Sequence, residues 1–191
     1  MAKIDAETTA MARNDLAHPL PSASVAIGES VGPGPVPILL EVNGTTYDLS
    51  VLPSTTLAEA LRDHLELTGT KIACDRGACS ACTVWVDGVP IASCMVLAID
   101  AANRKVTTIE GLARGDRLDP MQSAFIAHDA VQCGFCTPGL IMSCVALLHS
   151  HPHPTEDDVR RAISGHLCRC GTYPHVIAAV LSAARDQEVS T

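Results

Sequence analysis

Cys74-Asp75-Arg76-Gly77-Ala78-Cys79-Ser80-Ala81-Cys82, with Cys94 following, is the stretch on which the reading of this chain turns. Its spacing is C-x4-C-x2-C-x11-C, with three thiols inside nine residues. Gly77 and its small neighbours let the backbone wrap closely around something compact. Thiolates are soft, strong donors that suit iron, and the N–H groups of such a loop can hydrogen-bond bridging sulfides. The spacing is that of the ligands of a plant-type [2Fe–2S] cluster. Zinc is the competing reading, but a zinc ribbon brings together two short Cys pairs, and the longer gap leading into Cys79 is less usual there.

Working outward, strand signals flank the loop. Residues 38–42 and 45–49 are apolar-rich and enclose Asn43-Gly44, the strongest short hairpin signal. Thr56 precedes Glu59 by three residues, a capping box, and Leu57, Leu61 and Leu65 recur at helical spacing. That helix is expected to stop near Gly69. After the loop, residues 83–86 and 89–92 enclose Asp87-Gly88, a second hairpin, and 106–109 reads as one more short strand. The order predicts a helix packed on a small mixed sheet, with the loop at the sheet's edge and Cys94 closing the fourth ligand position.

From Leu118 the signal turns helical. Asp119-Pro120 with Gln122 predicts an N-cap, and Thr137-Pro138 repeats the device. Leu140, Ile141, Val145 and Leu148 give the second helix an apolar face. Thr155 caps a third helix that ends by Gly165. Thr172 opens a fourth, carrying Val176, Ile177, Val180 and Leu181. Four short helices predict an all-α second domain. The expected divisions are a disordered or partner-bound tail over 1–37, a first domain over 38–111, a helical domain over 112–186 and a short tail over 187–191. The long tail holds five prolines and no sustained apolar period.

A second set of thiols sits at the helix junctions. Cys133 and Cys136 form C-x2-C between the first and second helices; Cys168 and Cys170 form C-x-C between the third and fourth. Two turns meeting at one end of the helical unit bring four thiols together. The helix beginning beside Cys136 points free N–H groups and a positive end toward the site, which favours an anionic cluster. From spacing alone, zinc and iron–sulfur both stay open for this set.

Composition narrows the rest. Aromatics are only 3% of a chain that is 47% hydrophobic, so the cores must be built from aliphatic residues. A net charge of −8 makes nucleic acid and anionic membrane surfaces poor partners. No run of apolar residues is long enough for a membrane span. Nine cysteines would mean disulfides in a secreted chain. The first residues show neither an apolar signal core nor twin arginines, so a cytoplasmic chain with metal-held thiols is expected.

Gln132-Cys133-Gly134-Phe135-Cys136-Thr137-Pro138-Gly139 and Cys168-Arg169-Cys170-Gly171, with the Cys74 loop upstream, resemble the iron–sulfur subunit of molybdenum hydroxylases, the xanthine dehydrogenase and aldehyde oxidoreductase family. The resemblance runs over about residues 38–186. It implies an α+β chain: a β-grasp plant-type ferredoxin domain, then an all-α four-helix [2Fe–2S] domain. It implies cluster ligation by Cys74, Cys79, Cys82 and Cys94, and by Cys133, Cys136, Cys168 and Cys170. It implies a large partner subunit holding the molybdopterin cofactor and, in many members, a middle subunit holding FAD. Electrons would pass from molybdenum through the second cluster, then the first, to FAD or another acceptor. Gln132 matches the family's glutamine that hydrogen-bonds the pterin, and Cys170 matches the ligand nearest to it. Many relatives continue Cys-Arg-Cys with Thr-Gly-Tyr; here Gly171-Thr172-Tyr173 follows. The subgroup, substrate (an aldehyde or an N-heterocycle) and acceptor are therefore not fixed by the motif.

No nucleophile–base pair or phosphate-binding Gly-rich loop is visible, so no bond chemistry is expected of this chain alone. Cys144 falls among apolar residues and reads as a structural thiol. His149, His151 and His153 read as an exposed loop with at most adventitious metal affinity. Arg76 and Arg169, beside ligands, either offset cluster charge or are ordinary surface arginines. Trp85 reads as packing, and Asp157-Asp158 as first-turn dipole chemistry. Two other functions compete with the electron-transfer subunit: a free-standing two-cluster ferredoxin and a zinc-binding interaction module.

Overall fold

Alternation of apolar and open positions places Ile38, Leu40 and Val42 on one buried face of the first strand, β1 (Val36–Val42). The computed structural model describes residues 34–189, with side chains over 34–186. The expected tail over 1–37 lies outside the described residues up to position 33. β1 starts two residues earlier than its apolar run suggested. Pro37 is tolerated there because β1 meets its parallel neighbour only at Glu41 and Val42, which leaves the Pro37 edge unpaired on that side.

β1 pairs antiparallel with β2 (Thr45–Val51) across the Asn43-Gly44 turn. Both turn residues are left-handed, with φ of 52° and 81°, the conformation a two-residue hairpin needs. Asn43 also reaches beyond its turn. Its Nδ2 donates to Thr108 Oγ1 and its Oδ1 accepts from the Thr108 N–H, both at 2.9 Å. Asp87-Gly88 turns β3 (Thr83–Val86) into β4 (Val89–Ala92) in the same left-handed way. β5 (Lys105–Thr107) enters between β1 and β3, parallel to the first and antiparallel to the second. The sheet order is β2-β1-β5-β3-β4, so β4, which leads to Cys94, is an edge.

The Thr56–Glu59 capping box forms and starts α1 (Leu57–Glu59). α1 continues as a π-helical turn, Ala60–His64, and does not reach Gly69. Bonds from the Leu65 N–H to Ala60 O and from the Leu67 N–H to Leu61 O widen the turn, and Glu66 takes a positive φ of 58°. The apolar period that predicted a longer helix is used instead to seat Leu57 and Leu61 on Leu40, Val42, Val84, Val86 and Val106.

Four helices follow: α2 (Pro120–Ala127), α3 (Thr137–Ser150), α4 (Glu156–Ala162) and α5 (Tyr173–Val189). α2 carries the expected capping box of Asp119 with Gln122; at α4 the expected cap Thr155 forms a capping box with Asp158, a carboxylate expected only to meet the helix dipole. At α3 the expectation fails. Thr137 is already helical, and the cap position is Cys136, whose side chain makes no capping bond. The thiol is thereby left available for another use. α5 runs to Val189, past the expected start of a tail at 187.

Met121, Phe125, Leu140, Met142, Val159, Val176 and Val180 fill the helical core. Trp85 leaves β3 to join that core. Its Nε1–H donates to Met142 O at 3.0 Å, and its ring meets His149 at a centroid distance of 5.5 Å. One indole thus ties the sheet to α3, a stronger role than simple filling. The same contact corrects the reading of His149, which lies on α3 against Trp85 and not in a loop. No helix among the described residues is long and apolar enough to cross a membrane.

Candidate metal centres

The Cys74 loop curls because several of its residues are left-handed: Asp75 (φ 53°), Gly77 (φ 71°) and Ser80 (φ 55°). Successive backbone N–H groups then face inward, the arrangement that favours anions. The Ala78 N–H donates to Cys74 Sγ at 3.2 Å. Gly77 is required on two counts: its φ is positive, and a Cβ there would lie 2.9 Å from Met95 Cγ. Cys94 comes into place through Ser93, whose Oγ donates to Cys82 O at 2.7 Å. Cys79, Cys82 and Cys94 are buried, and Cys74 is half-buried.

These thiols meet in pairs. Backbone N–H donation from Arg76, then the Cys79 thiol, hold Cys74 down to about 7. Burial, with the Cys82 thiol and against the Gly77 N–H, pushes Cys94 up to about 11. Cys74 thus lies beside Cys79 and Cys94 beside Cys82, with Cys74 also near enough to act on Cys94.

The second set is assembled from two turns. Gly134 (φ 81°) bends the chain between Cys133 and Cys136, and Gly171 (φ 73°) bends it after Cys170. Tyr173 staples the later turn: its Oη accepts from the Cys168 N–H at 2.8 Å and donates to His166 O at 2.9 Å. Burial, then the Cys168 thiol, push Cys136 up to about 12. Burial also raises Cys168, but the Thr172 hydroxyl, backbone N–H groups and Cys136 outweigh it and bring that thiol to about 7. A backbone bond from Cys133 lowers Cys170, while the Cys133 thiol and burial carry it upward overall. Cys136 lies beside Cys168 and Cys170 beside Cys133, with Cys133 also acting on Cys136 and Cys168 on Cys170. All eight expected ligands thus fall into two groups of four.

The pairing bears on the metal. Among the described residues no three or more His, Cys, Asp or Glu side chains converge on one metal ion. A tetrahedral zinc needs four ligands around one point. A two-iron cluster instead takes four thiolates spread over two irons, which suits thiols gathered two by two. Four cysteines are the donor set of a [2Fe–2S] cluster, and each of these sets supplies four.

The two sets are neighbours. The Leu167 N–H donates to Cys79 O at 3.2 Å, joining the residue before one candidate ligand to another candidate ligand of the other set. Gly139, on the first turn of α3, lies so close to the first loop that a Cβ would sit 2.4 Å from Ser80 O. A hollow of about 480 Å³ between them is lined by Cys74, Cys79, Leu167, Cys168, Arg169 and Tyr173. Sequence reasoning missed Gly139, Thr172 and Tyr173 as site residues. The Gly171-Thr172-Tyr173 departure from the commoner motif was the one available signal for the last two.

Gln132 is exposed beside the exposed Cys133, and no hydrogen bond engages its amide among the described residues. Val131 and Phe135, close to it in the chain, and Ile126 are also exposed. Cys144 is fully buried in the α3 core, and burial pushes its thiol up to about 12, so it is inert packing.

Two family models match the chain. A 2Fe-2S iron-sulfur cluster binding domain covers residues 40–109, and a [2Fe-2S] binding domain covers 108–181. The chain is 42% identical over 205 residues to the aldehyde oxidoreductase iron-sulfur-binding subunit PaoA of Escherichia coli, covering 97% of this chain and 87% of that protein. It is 45% identical over 148 residues to the nicotine 6-hydroxylase small subunit of Paenarthrobacter nicotinovorans, covering 78% and 89%. Quinoline 2-oxidoreductase of Pseudomonas putida contains a similar structure, with a TM-score of 0.74, 41% identity, and coverage of 81% of this chain and 99% of that one. Aldehyde oxidoreductase of Desulfovibrio gigas matches at a TM-score of 0.76 and 35% identity, over 82% of this chain and 18% of its own longer chain.

Proposed function

We infer, because the chain belongs to the iron–sulfur subunit family of the molybdenum hydroxylases, that it carries electrons from a molybdopterin site in a large subunit to FAD or another acceptor. The partner's reaction is the oxidative hydroxylation of an aldehyde or N-heterocycle. The observation that carries this reading is the pair of four-thiol groups, each gathered two by two and linked to each other by the Leu167–Cys79 hydrogen bond.

Cys74, Cys79, Cys82 and Cys94 would hold one [2Fe–2S] cluster, and Cys133, Cys136, Cys168 and Cys170 the other. Each cluster, when bound, takes up and gives back one electron at a time. The chain's own residues do the rest. The curled first loop turns N–H groups toward the thiolates, Tyr173 fixes the Cys168–Cys170 turn, and the buried Cys79, Cys82 and Cys94 are kept from water. In this reading 38–111 is the β-grasp ferredoxin domain, and 112–186 the four-helix domain. The reducing cytoplasm is the compartment that suits nine unpaired thiols among the described residues.

The exposed apolar side chains of Ile126, Val131 and Phe135 speak against a free-standing ferredoxin, which needs a polar surface. Gln132 faces the molybdopterin-bearing subunit in this reading. Its unengaged amide can both donate to and accept from a pterin edge. Gln132→Ala leaves a polar cofactor group unpaired, at about 1–3 kcal/mol. Rapid mixing of the assembled complex with its substrate should then show slower cluster reduction, or lowered molybdenum occupancy, with both cluster signals intact. An unchanged reduction rate at full molybdenum loading would make Gln132 an ordinary surface residue and remove the basis for this orientation.

A further inference from the structure

We propose that the Thr172 hydroxyl raises the reduction potential of the second cluster by donating a hydrogen bond to the Cys168 sulfur. This deepens the reading above and rests on Cys168 being an iron ligand.

Thr172 Oγ1 lies 3.5 Å from Cys168 Sγ. A ligating thiolate carries no proton, so the hydroxyl is the donor and the sulfur the acceptor. Thr172 is only 3% exposed, so little water competes for its hydroxyl, while Cys168 is half-buried. Its backbone is fixed as the head of α5, where its carbonyl accepts from the Val176 N–H at 3.0 Å. The acceptor is fixed as well, because Tyr173 Oη holds the Cys168 N–H at 2.8 Å. A β-branched side chain is stiff about its first torsion, so the hydroxyl stays aimed once the backbone is set.

Reduction adds negative charge, part of which rests on the ligand sulfurs. A donor aimed at such a sulfur stabilises the reduced form more than the oxidised one and raises the potential. The structure also explains what the reversed Gly171-Thr172 order does. The glycine takes the left-handed position with φ 73°, and the hydroxyl-bearing residue moves to the position that faces the ligand.

The test is a redox titration of the full chain followed by EPR, with iron quantified. Thr172→Val keeps the shape and removes the donor; Thr172→Ser keeps the donor. In Thr172→Val the reduced-to-oxidised ratio of the second cluster at fixed potential should fall roughly tenfold, about 59 mV for one electron. Thr172→Ser should stay near wild type, and the first cluster should not move in either. Full iron in Thr172→Val with no shift would overturn the proposal and leave the electron-transfer reading standing. If the Val variant fails to load, Ser is compared with Thr172→Ala: a lower potential in Ala alone supports the proposal, and equal potentials overturn it. A wild-type chain with no second [2Fe–2S] signal would sink the ligand reading itself, and the proposal with it.

Discussion

Cys79→Ser and Cys136→Ser should each remove one of two reduced-state EPR signals and about half of roughly four irons per chain. The thiols stand in two separate groups, and each variant touches only one. Cys79 is 7% exposed and Cys136 is half-buried, so neither can be replaced by a nearby spare ligand. The ninth cysteine, Cys144, is sealed in the helical core and cannot migrate to either group. It is also the control. Cys144→Ser puts a more polar hydroxyl into an apolar core and should cost about 1–3 kcal/mol of stability, while leaving the iron content whole. Loss of both signals from either ligand variant, or loss of iron from Cys144→Ser, would contradict the assignment of two independent sets.

Gly139→Ala should be strongly disruptive, although alanine is the better helix former. Gly139 lies inside α3, where alanine ordinarily gains about 1 kcal/mol over glycine. A Cβ here would meet Ser80 O at 2.4 Å and Ala81 O at 3.0 Å. Both obstacles are backbone, and both belong to the first cysteine loop, so neither can swing aside as a flexible side chain would. Overpacking of this kind costs about 1–3 kcal/mol and outweighs the gain in propensity. The readout is twofold. Thermal unfolding should move to lower temperature, and the magnetic coupling between the two reduced clusters should weaken as α3 is pushed off the loop. Gly165→Ala is the comparison, since its Cβ would meet only Ser80 Oγ, at an ordinary 3.5 Å. Equal stability of the two variants would show that the α3–loop contact does not hold the two sites together.

Much of this fold could be read from local signals. Asn43-Gly44 and Asp87-Gly88 are hairpins because those residues tolerate left-handed φ, and the Thr56, Asp119 and Thr155 capping boxes start helices where their spacing says they must. The cysteine motifs of both sets stood out because short ligand spacings are local patterns. What failed was local as well, but overridden by packing. Leu65 keeps the helical period of Leu57 and Leu61, yet the chain widens into a π turn and leaves the helix at Glu66. Thr137 looks like a cap, yet it is already helical and Cys136 takes that position. The closeness of the two sets had no sequence signal at all. It depends on Leu167 meeting Cys79 and on Gly139 meeting Ser80, contacts between residues far apart in the chain. Trp85 was legible as packing, but its bond to Met142 O was not.

The most direct test of the account is metal analysis of the complex purified through a tag on this chain. The account predicts a co-eluting large subunit with molybdenum, roughly four irons for each copy of this chain and no stoichiometric zinc. An iron-loaded chain that elutes alone without molybdenum, or a chain holding zinc in place of iron, would contradict it.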